Sequence, residues 1–293
     1  MTPDELLHSW ILTAFLFVFG TCIGSFLNVV IYRLPREDMT LNNPARSVCT
    51  TSGKMIPWHD NIPILSFLIL GGKSRFDGKP ISWRYPLVEA LTGLLFALLW
   101  TVHRDVWLVA LIYMGITSAL IAASFIDLDH YIIPDEISIG MIVLGIALSW
   151  ACPTLQGVGD RGTAFGWSAL AALIGYGVFF MIGVLGRLAF KKDAMGIGDM
   201  KLMAGVGAFL GIKAIFFALI LSSFLGAAVG MTLIAMKKAD KGARIPYGPY
   251  LAIGTVCWML FGERVWDWYM RVTFDGLEQP AMLLWHGWVA RLF

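Results

Sequence analysis

Residues 196–236 run GIGDMKLMAGVGAFLGIKAIFFALILSSFLGAAVGMTLIAM, and the only charges in them are Asp199, Lys201 and Lys213. An apolar run of this length belongs in a bilayer. With no water there to pair backbone N–H and C=O groups, such a segment spans as helix. Its first four residues, Gly196-Ile197-Gly198-Asp199, set a carboxylate beside two glycines. A charge at membrane depth costs a few kcal/mol or more unless it meets a partner or a water-filled cavity, so Asp199 is a functional candidate. Gly196 and Gly198 lack a Cβ and let the backbone depart from helical geometry and approach a ligand.

Composition extends this reading to the whole chain. Of 293 residues, 58% are hydrophobic and only 14% charged, and the mean hydropathy is +0.72. A soluble domain carries roughly 25% charged residues, so the expected class is an all-α polytopic membrane protein. The net charge of +2 says nothing about nucleic acid; the charges cluster by loop with no basic patch interleaved with aromatics, and no nucleic-acid partner is expected. Cys22, Cys49, Cys152 and Cys257 are scattered without a C-x-x-C pair, which gives a disulfide framework no support. Asp4 and Glu5 precede an apolar run too long for an h-region, so a cleavable signal peptide is not expected.

Apolar segments near 10–32, 86–101, 107–126, 136–152, 165–190, 200–212, 214–236 and 246–262 predict about eight transmembrane helices. With the N-terminus outside, 16 of the 22 Lys and Arg fall in inside loops, among them Arg33, Arg36, Arg46, Lys73, Arg187, Lys192, Lys201, Lys237 and Arg244. This asymmetry predicts that both termini are outside. The expected organisation is a first helix at 1–32, a cytosolic loop subdomain at 33–85, a seven-helix core at 86–263 and a tail at 264–293. The loop is rich in Pro, Gly and Asn and poor in periodic apolar residues. Between Lys201 and Lys213 the helix rises only about 18 Å against a hydrocarbon core of roughly 30 Å. Either it is sunk in the bundle, or Lys213 snorkels and the helix is longer. The tail carries Trp266, Trp268, Trp285 and Trp288 among charges and reads as an interfacial anchor.

A second acidic cluster, Asp127-Leu128-Asp129-His130-Tyr131-Ile132-Ile133-Pro134-Asp135-Glu136, lies at the end of the third span, on the face expected to carry Asp199. Two carboxylates suit hydrolysis without a nucleophilic side chain: one, ionised, takes a proton from water, and the other, protonated, donates to the scissile carbonyl. Serine hydrolase, zincin and P-loop motifs are absent from the chain. Plainer readings stand beside this one. Asp135 after Pro134 suits an N-cap, and Asp129 and His130 suit a solvated turn. Asp127 suits an interfacial carboxylate and Asp199 a helix-initiating one. Glu89 either pairs with a basic residue and orients the bundle or lines the site.

Five blocks together resemble the bacterial type IV prepilin peptidases. They are Gly24-Ser25-Phe26-Leu27-Asn28 running on to Pro35, Trp58-His59-Asp60-Asn61-Ile62-Pro63, Arg84-Tyr85-Pro86-Leu87-Val88-Glu89, the Asp127 to Asp135 segment ending Ile-Pro-Asp, and Gly-x-Gly-Asp at 196–199. The resemblance covers nearly the whole chain, in order. It implies an eight-helix aspartic protease of the bacterial inner membrane that removes the leader of prepilins and pseudopilins after a Gly. Asp127 and Asp199 are then the catalytic pair at the cytosolic face, with Gly196 and Gly198 shaping the site. It also implies, for many members, methylation of the new N-terminus with S-adenosylmethionine; proteolysis itself needs no cofactor.

Many members carry two C-x-x-C pairs in the cytosolic loop that hold zinc. The sequence reading sets Cys49, Ser52, Lys73 and Phe76 at those positions, so zinc is not expected and packing must hold the loop. Two other classes remain open at this stage. A Gly-broken helix and intramembrane acids also describe a proton-coupled secondary transporter, although no internal repeat is visible. A scaffold of a pilus or secretion machine, with structural aspartates, is the third.

Overall fold

The computed structural model describes residues 5, 9–36, 39–40, 48–49, 52–191, 195–236 and 245–274. Among these the regular structure is helical, with two isolated β-bridges. Arg46, Lys192, Lys237, Arg244, Trp285 and Trp288, which entered the topology and tail expectations, lie outside the described residues.

The helices are α1 (Trp10–Arg33), the short α2 (Leu65–Ile69), α3 (Arg84–His103), α4 (Trp107–His130), α5 (Asp135–Ala151), α6 (Arg161–Phe190), α7 (Ile197–Ala235), α8 (Gly248–Cys257) and α9 (Glu263–Phe274). A π-helical turn, Trp258–Gly262, joins the last two. Among the described residues four stretches are long and apolar enough to cross a membrane: Trp10–Arg33, Arg84–His130, Arg161–Ala189 and Ile197–Ala235. The other apolar segments are helical too, but α5 has 17 residues and α8 only 10.

The chain divides into two compact units, Met1–Ile137 and Ser138–Phe293. In the first, α1 packs along α3, and α4 packs on both. Leu27, Ile31, Val88, Ile121, Ala122 and Ile126 form the buried cluster where the three meet. The α1–α3 approach depends on glycine: a Cβ on Gly24 would stand 2.6 Å from the Glu89 Cα. Small residues at such crossings let backbones touch, which is how helices gain packing energy in lipid. Asn28 donates from Nδ2 to the Tyr85 carbonyl at 3.1 Å across the same interface.

In the second unit α7 packs between α6 and α8. The sixth and seventh apolar segments form one helical run that breaks at Gly211, where φ is 77° and ψ −177°. Only glycine adopts that region readily. The break removes the carbonyls of the preceding turn from the ladder, and buried carbonyls need donors. Ala208 O accepts from Gln156 Nε2 at 2.9 Å, Ser168 Oγ at 2.7 Å and Ser149 Oγ at 3.2 Å. Phe209 O accepts from Gln156 at 3.4 Å.

Of the two branches of the short-helix expectation, the sunken one describes this segment. Residues 202–209 are buried in unbroken succession, so this part is sunk in the bundle. Lys213, past the break, lies over the Trp266 ring at 5.4 Å. The described part of the tail, α9, alternates Glu263, Arg264, Asp267 and Arg271 with Val265, Trp268, Tyr269 and Val272, the pattern of a helix at an interface.

Candidate active site

Asp127 sits in the last turn of α4, and its side chain is buried with 6% exposure. The helix ends there because Tyr131 turns left-handed, φ 57° and ψ 32°, and its N–H returns to the Asp127 carbonyl at 2.9 Å. A left-handed residue after the last turn is a common helix stop. The end of α4 is tied to the start of α3 by Arg84, whose Nη1 donates to the Asp129 carboxylate. The same guanidinium donates to Phe125 O at 3.4 Å and lies over the Phe125 ring. Asp129 is therefore more than a solvated turn residue, whereas His130 is exposed.

Asp199 is the third residue of α7 and is also buried, at 9%. Its Oδ2 accepts from the Gly196 N–H at 3.3 Å. This is the acidic half of a capping box, and the plain helix-initiating reading of Asp199 is present in the geometry. Gly196 is needed for a different reason from the conformational one read in the sequence. Its backbone, φ −75° and ψ 145°, is ordinary extended chain. What it provides is space, because a Cβ there would stand 3.1 Å from Asp199 Oδ2. Gly198 lies within the first helical turn.

Asp127 belongs to the first compact unit and Asp199 to the second. Asp135 starts α5 by hydrogen bonding, instead of standing one residue before it as an N-cap, and is exposed with Glu136. An acid in the first turn still complements the helix dipole.

Glu89 makes a contact that neither of the two readings named. It is buried in α3, and its Oε2 accepts from the Ile64 backbone N–H at 2.7 Å. Ile64 holds φ 61°, a region a β-branched residue rarely enters. Glu89 thus tethers the loop between α1 and α3 to the helices at a backbone position that needs holding.

The loop itself is a pair of matching turns. Cys49 N–H donates to Lys54 O, and Gly53 N–H to Cys49 O. Ser74 N–H donates to Lys79 O, and Gly78 N–H to Ser74 O, with every distance 2.8 or 2.9 Å. Bridges Val48 to Met55 and Lys73 to Pro80 complete the two. The repeat, offset by 25 residues, makes Ser74 the counterpart of Cys49 and Asp77 the counterpart of Ser52 in the two turns. The positions that repeat in the two turns are therefore Cys49 and Ser52 with Ser74 and Asp77, whereas the sequence reading paired them with Lys73 and Phe76. The shared Gly-Lys at 53–54 and 78–79 was the signal that would have set the register.

One thiol, two hydroxyls and one carboxylate do not fit a structural zinc shell of Cys and His. No cluster of three or more metal-ligating side chains occurs among the described residues. Direct contacts hold the loop: Cys49 Sγ lies 3.6 Å from Ser74 Oγ, Phe67 packs on Trp83 at 4.6 Å, and Arg75 grips Asp60 with two hydrogen bonds of 2.7 Å. The Arg75 hydrogen bonds keep the Asp60 carboxyl below the usual 3.8.

The sequence matches known proteins along most of its length. The bacterial peptidase A24 N-terminal domain matches residues 18–103, and the type IV leader peptidase family matches 114–231. A prepilin leader peptidase/N-methyltransferase of Aeromonas hydrophila is 36% identical over 292 residues, covering 91% of this chain and 97% of its own. The proteins of that name from Myxococcus xanthus and Pseudomonas aeruginosa are 40% and 33% identical, over 75% and 86% of this chain and 62% and 91% of theirs. No solved structure matches the chain significantly. Its buried Asp127 and Asp199 fall inside the family's own span, and the protein belongs to the type IV leader peptidase family.

Proposed function

We propose that this membrane protein is an aspartic endopeptidase that removes the leader of type IV prepilins or pseudopilins after a Gly, with Asp127 and Asp199 as its catalytic pair. The observation that carries the reading is that both carboxylates are buried at helix ends, Asp127 in the last turn of α4 and Asp199 in the first turn of α7. Two carboxylates that share one site titrate apart, so that in such a pair one is ionised while the other keeps its proton. The ionised group removes a proton from water, and the hydroxide adds to the scissile carbonyl carbon. The protonated group donates to the carbonyl oxygen. Collapse of the tetrahedral species breaks the C–N bond, with the proton passing to the leaving amine.

The basic-residue asymmetry supports an active site at the cytosolic face of the inner membrane, with both termini periplasmic. A prepilin would then lay its apolar helix among the spans and leave its basic leader in the cytosol. Gly196 keeps the carboxylate of Asp199 uncrowded.

The relatives' names add an N-methyltransferase. We extend this to the present chain with S-adenosylmethionine as donor. Its sulfonium supplies a methyl to the new N-terminal amine, forming C–N, breaking S–C and releasing a thioether and a proton. Purified protein with a prepilin-like peptide tests both halves by mass spectrometry. Cleavage after Gly is expected, followed by a gain of one methyl on the new N-terminus. An intact peptide would overturn the peptidase reading, and a cleaved but never methylated product would overturn the second half.

A further inference from the structure

We infer that the short helix α2 is a lipid-binding element: Leu65, Leu68 and Ile69, with Trp83 beside them, seat the loop between α1 and α3 in the interface of the bilayer.

α2 divides its residues between two sides. Phe67 is buried and packs on the Trp83 ring at 4.6 Å. Leu65, Leu68 and Ile69 follow the i, i+3, i+4 spacing of one helical face. All three are exposed, Leu68 by 63% and Ile69 by 78%, and Trp83 against the same helix is 74% exposed. Single exposed apolar residues are ordinary, but a contiguous cluster of large ones calls for a partner.

The depth of α2 identifies that partner. Glu89 Oε2 accepts from the Ile64 N–H at 2.7 Å, and α2 begins at the next residue. Glu89 stands about 7.5 Å along the α3 axis from Arg84, at a rise of about 1.5 Å per residue. Helical side chains lean toward the N-terminus, so the carboxylate holds the start of α2 within that distance of the Arg84 level. Arg84 marks the aqueous boundary, since its charge pairs with the exposed Asp129. An interfacial helix sinks its apolar face about 5–10 Å into the boundary of headgroups and acyl chains. The tether therefore keeps α2 at that level instead of letting it project into water. Leu87, between Arg84 and Glu89, is exposed and apolar at the same depth.

Charge agrees with this occupant. Residues 33–84 hold eight Lys and Arg against four Asp and Glu, an excess that suits anionic headgroups and repels a basic peptide. Trp58 and Trp83, both exposed, are of the residue type that concentrates where headgroups meet acyl chains.

The unmodified full chain tests the assignment in nanodiscs of phosphatidylethanolamine and phosphatidylglycerol that carry a photoreactive diazirine at two depths along the acyl chain. After irradiation, peptide mass spectrometry should find lipid adducts on residues 65–69 and on Trp83, and none on the turn at 74–79. Adducts on Leu94, exposed in the middle of α3, report that the helices are inserted. In Leu68→Glu with Ile69→Glu, adducts on 65–69 should fall about tenfold, because charge is excluded from the acyl region. Those on Leu94 should not change. Should the double variant fail to insert, Leu65→Glu alone gives the same comparison.

Adducts on Leu94 with none on 65–69 would overturn the assignment, as would equal yields on 65–69 in the parent and an inserted variant. A segment 65–69 that takes no lipid but cross-links to a photoreactive prepilin-like peptide would give the face to a substrate instead.

Discussion

Arg84, the first residue of α3, is paired with Asp129, two residues past Asp127 at the end of α4. The two partners are 29% and 41% exposed, so the pair contributes at most about 1 kcal/mol to stability. Its effect is on position, because it fixes the helix end that carries Asp127.

Arg84→Ala should therefore leave the melting temperature within a few degrees and lower kcat for cleavage, since a displacement of about 1 Å costs on the order of 100-fold. The reciprocal exchange, Arg84→Asp with Asp129→Arg, should recover part of the loss. Equal kcat in the single variant and the parent would show that the pair positions nothing.

Asp127→Asn and Asp199→Asn should each abolish cleavage while preserving expression and folding. Groups that act as one unit are not additive, so the double variant should be scarcely worse than either alone. Asp135→Asn should keep substantial activity, because this exposed carboxylate starts a helix and Asn is also a good terminal residue. Near-normal turnover in either of the first two variants would sink the paired assignment.

Gly196→Ala separates space from flexibility. The extended backbone at 196 accommodates alanine, but the added methyl would stand 3.1 Å from Asp199 Oδ2. The variant should fold normally and cleave roughly tenfold or more slowly, as a displaced catalytic group does. A normal rate would leave the glycine unexplained by crowding.

The carbonyls freed at the Gly211 break give a prediction about stability alone. Removing donors with Gln156→Ala and Ser168→Ala leaves buried acceptors undersatisfied, at about 1–3 kcal/mol each. Thermal unfolding of the double variant should fall by several degrees, with cleavage per folded molecule unchanged. Unaltered unfolding would mean that the break is satisfied in another way.

The Asp60–Arg75 pair makes the loop sensitive to acid. The folded carboxyl lies below 3.8, so its contribution is fully present above that value and is lost as pH falls through the lower folded value. The stability advantage of the parent protein over Asp60→Asn should hold at neutral pH and shrink as the solution is taken below 3.8. A constant difference across that range would contradict the assignment.

The sequence alone determined the helical membrane class, the apolar segments and the two acidic positions. Lipid tolerates few alternatives to helix, and a carboxylate in an apolar run stands out without any knowledge of its neighbours. Tertiary structure decided what depends on approach between distant segments. Glu89 found the Ile64 N–H 25 residues away, Arg84 found Asp129 45 residues away, and Gln156 found carbonyls more than 50 residues on. None of these partners has a periodic or local signature, because a hydrogen bond to a backbone atom leaves no mark on the identity of the residue that supplies it. The paired turns at Cys49 and Ser74 lie between these cases. Their Gly-Lys echo was written in the chain, but only the folded hydrogen bonds showed which residues correspond in the two turns.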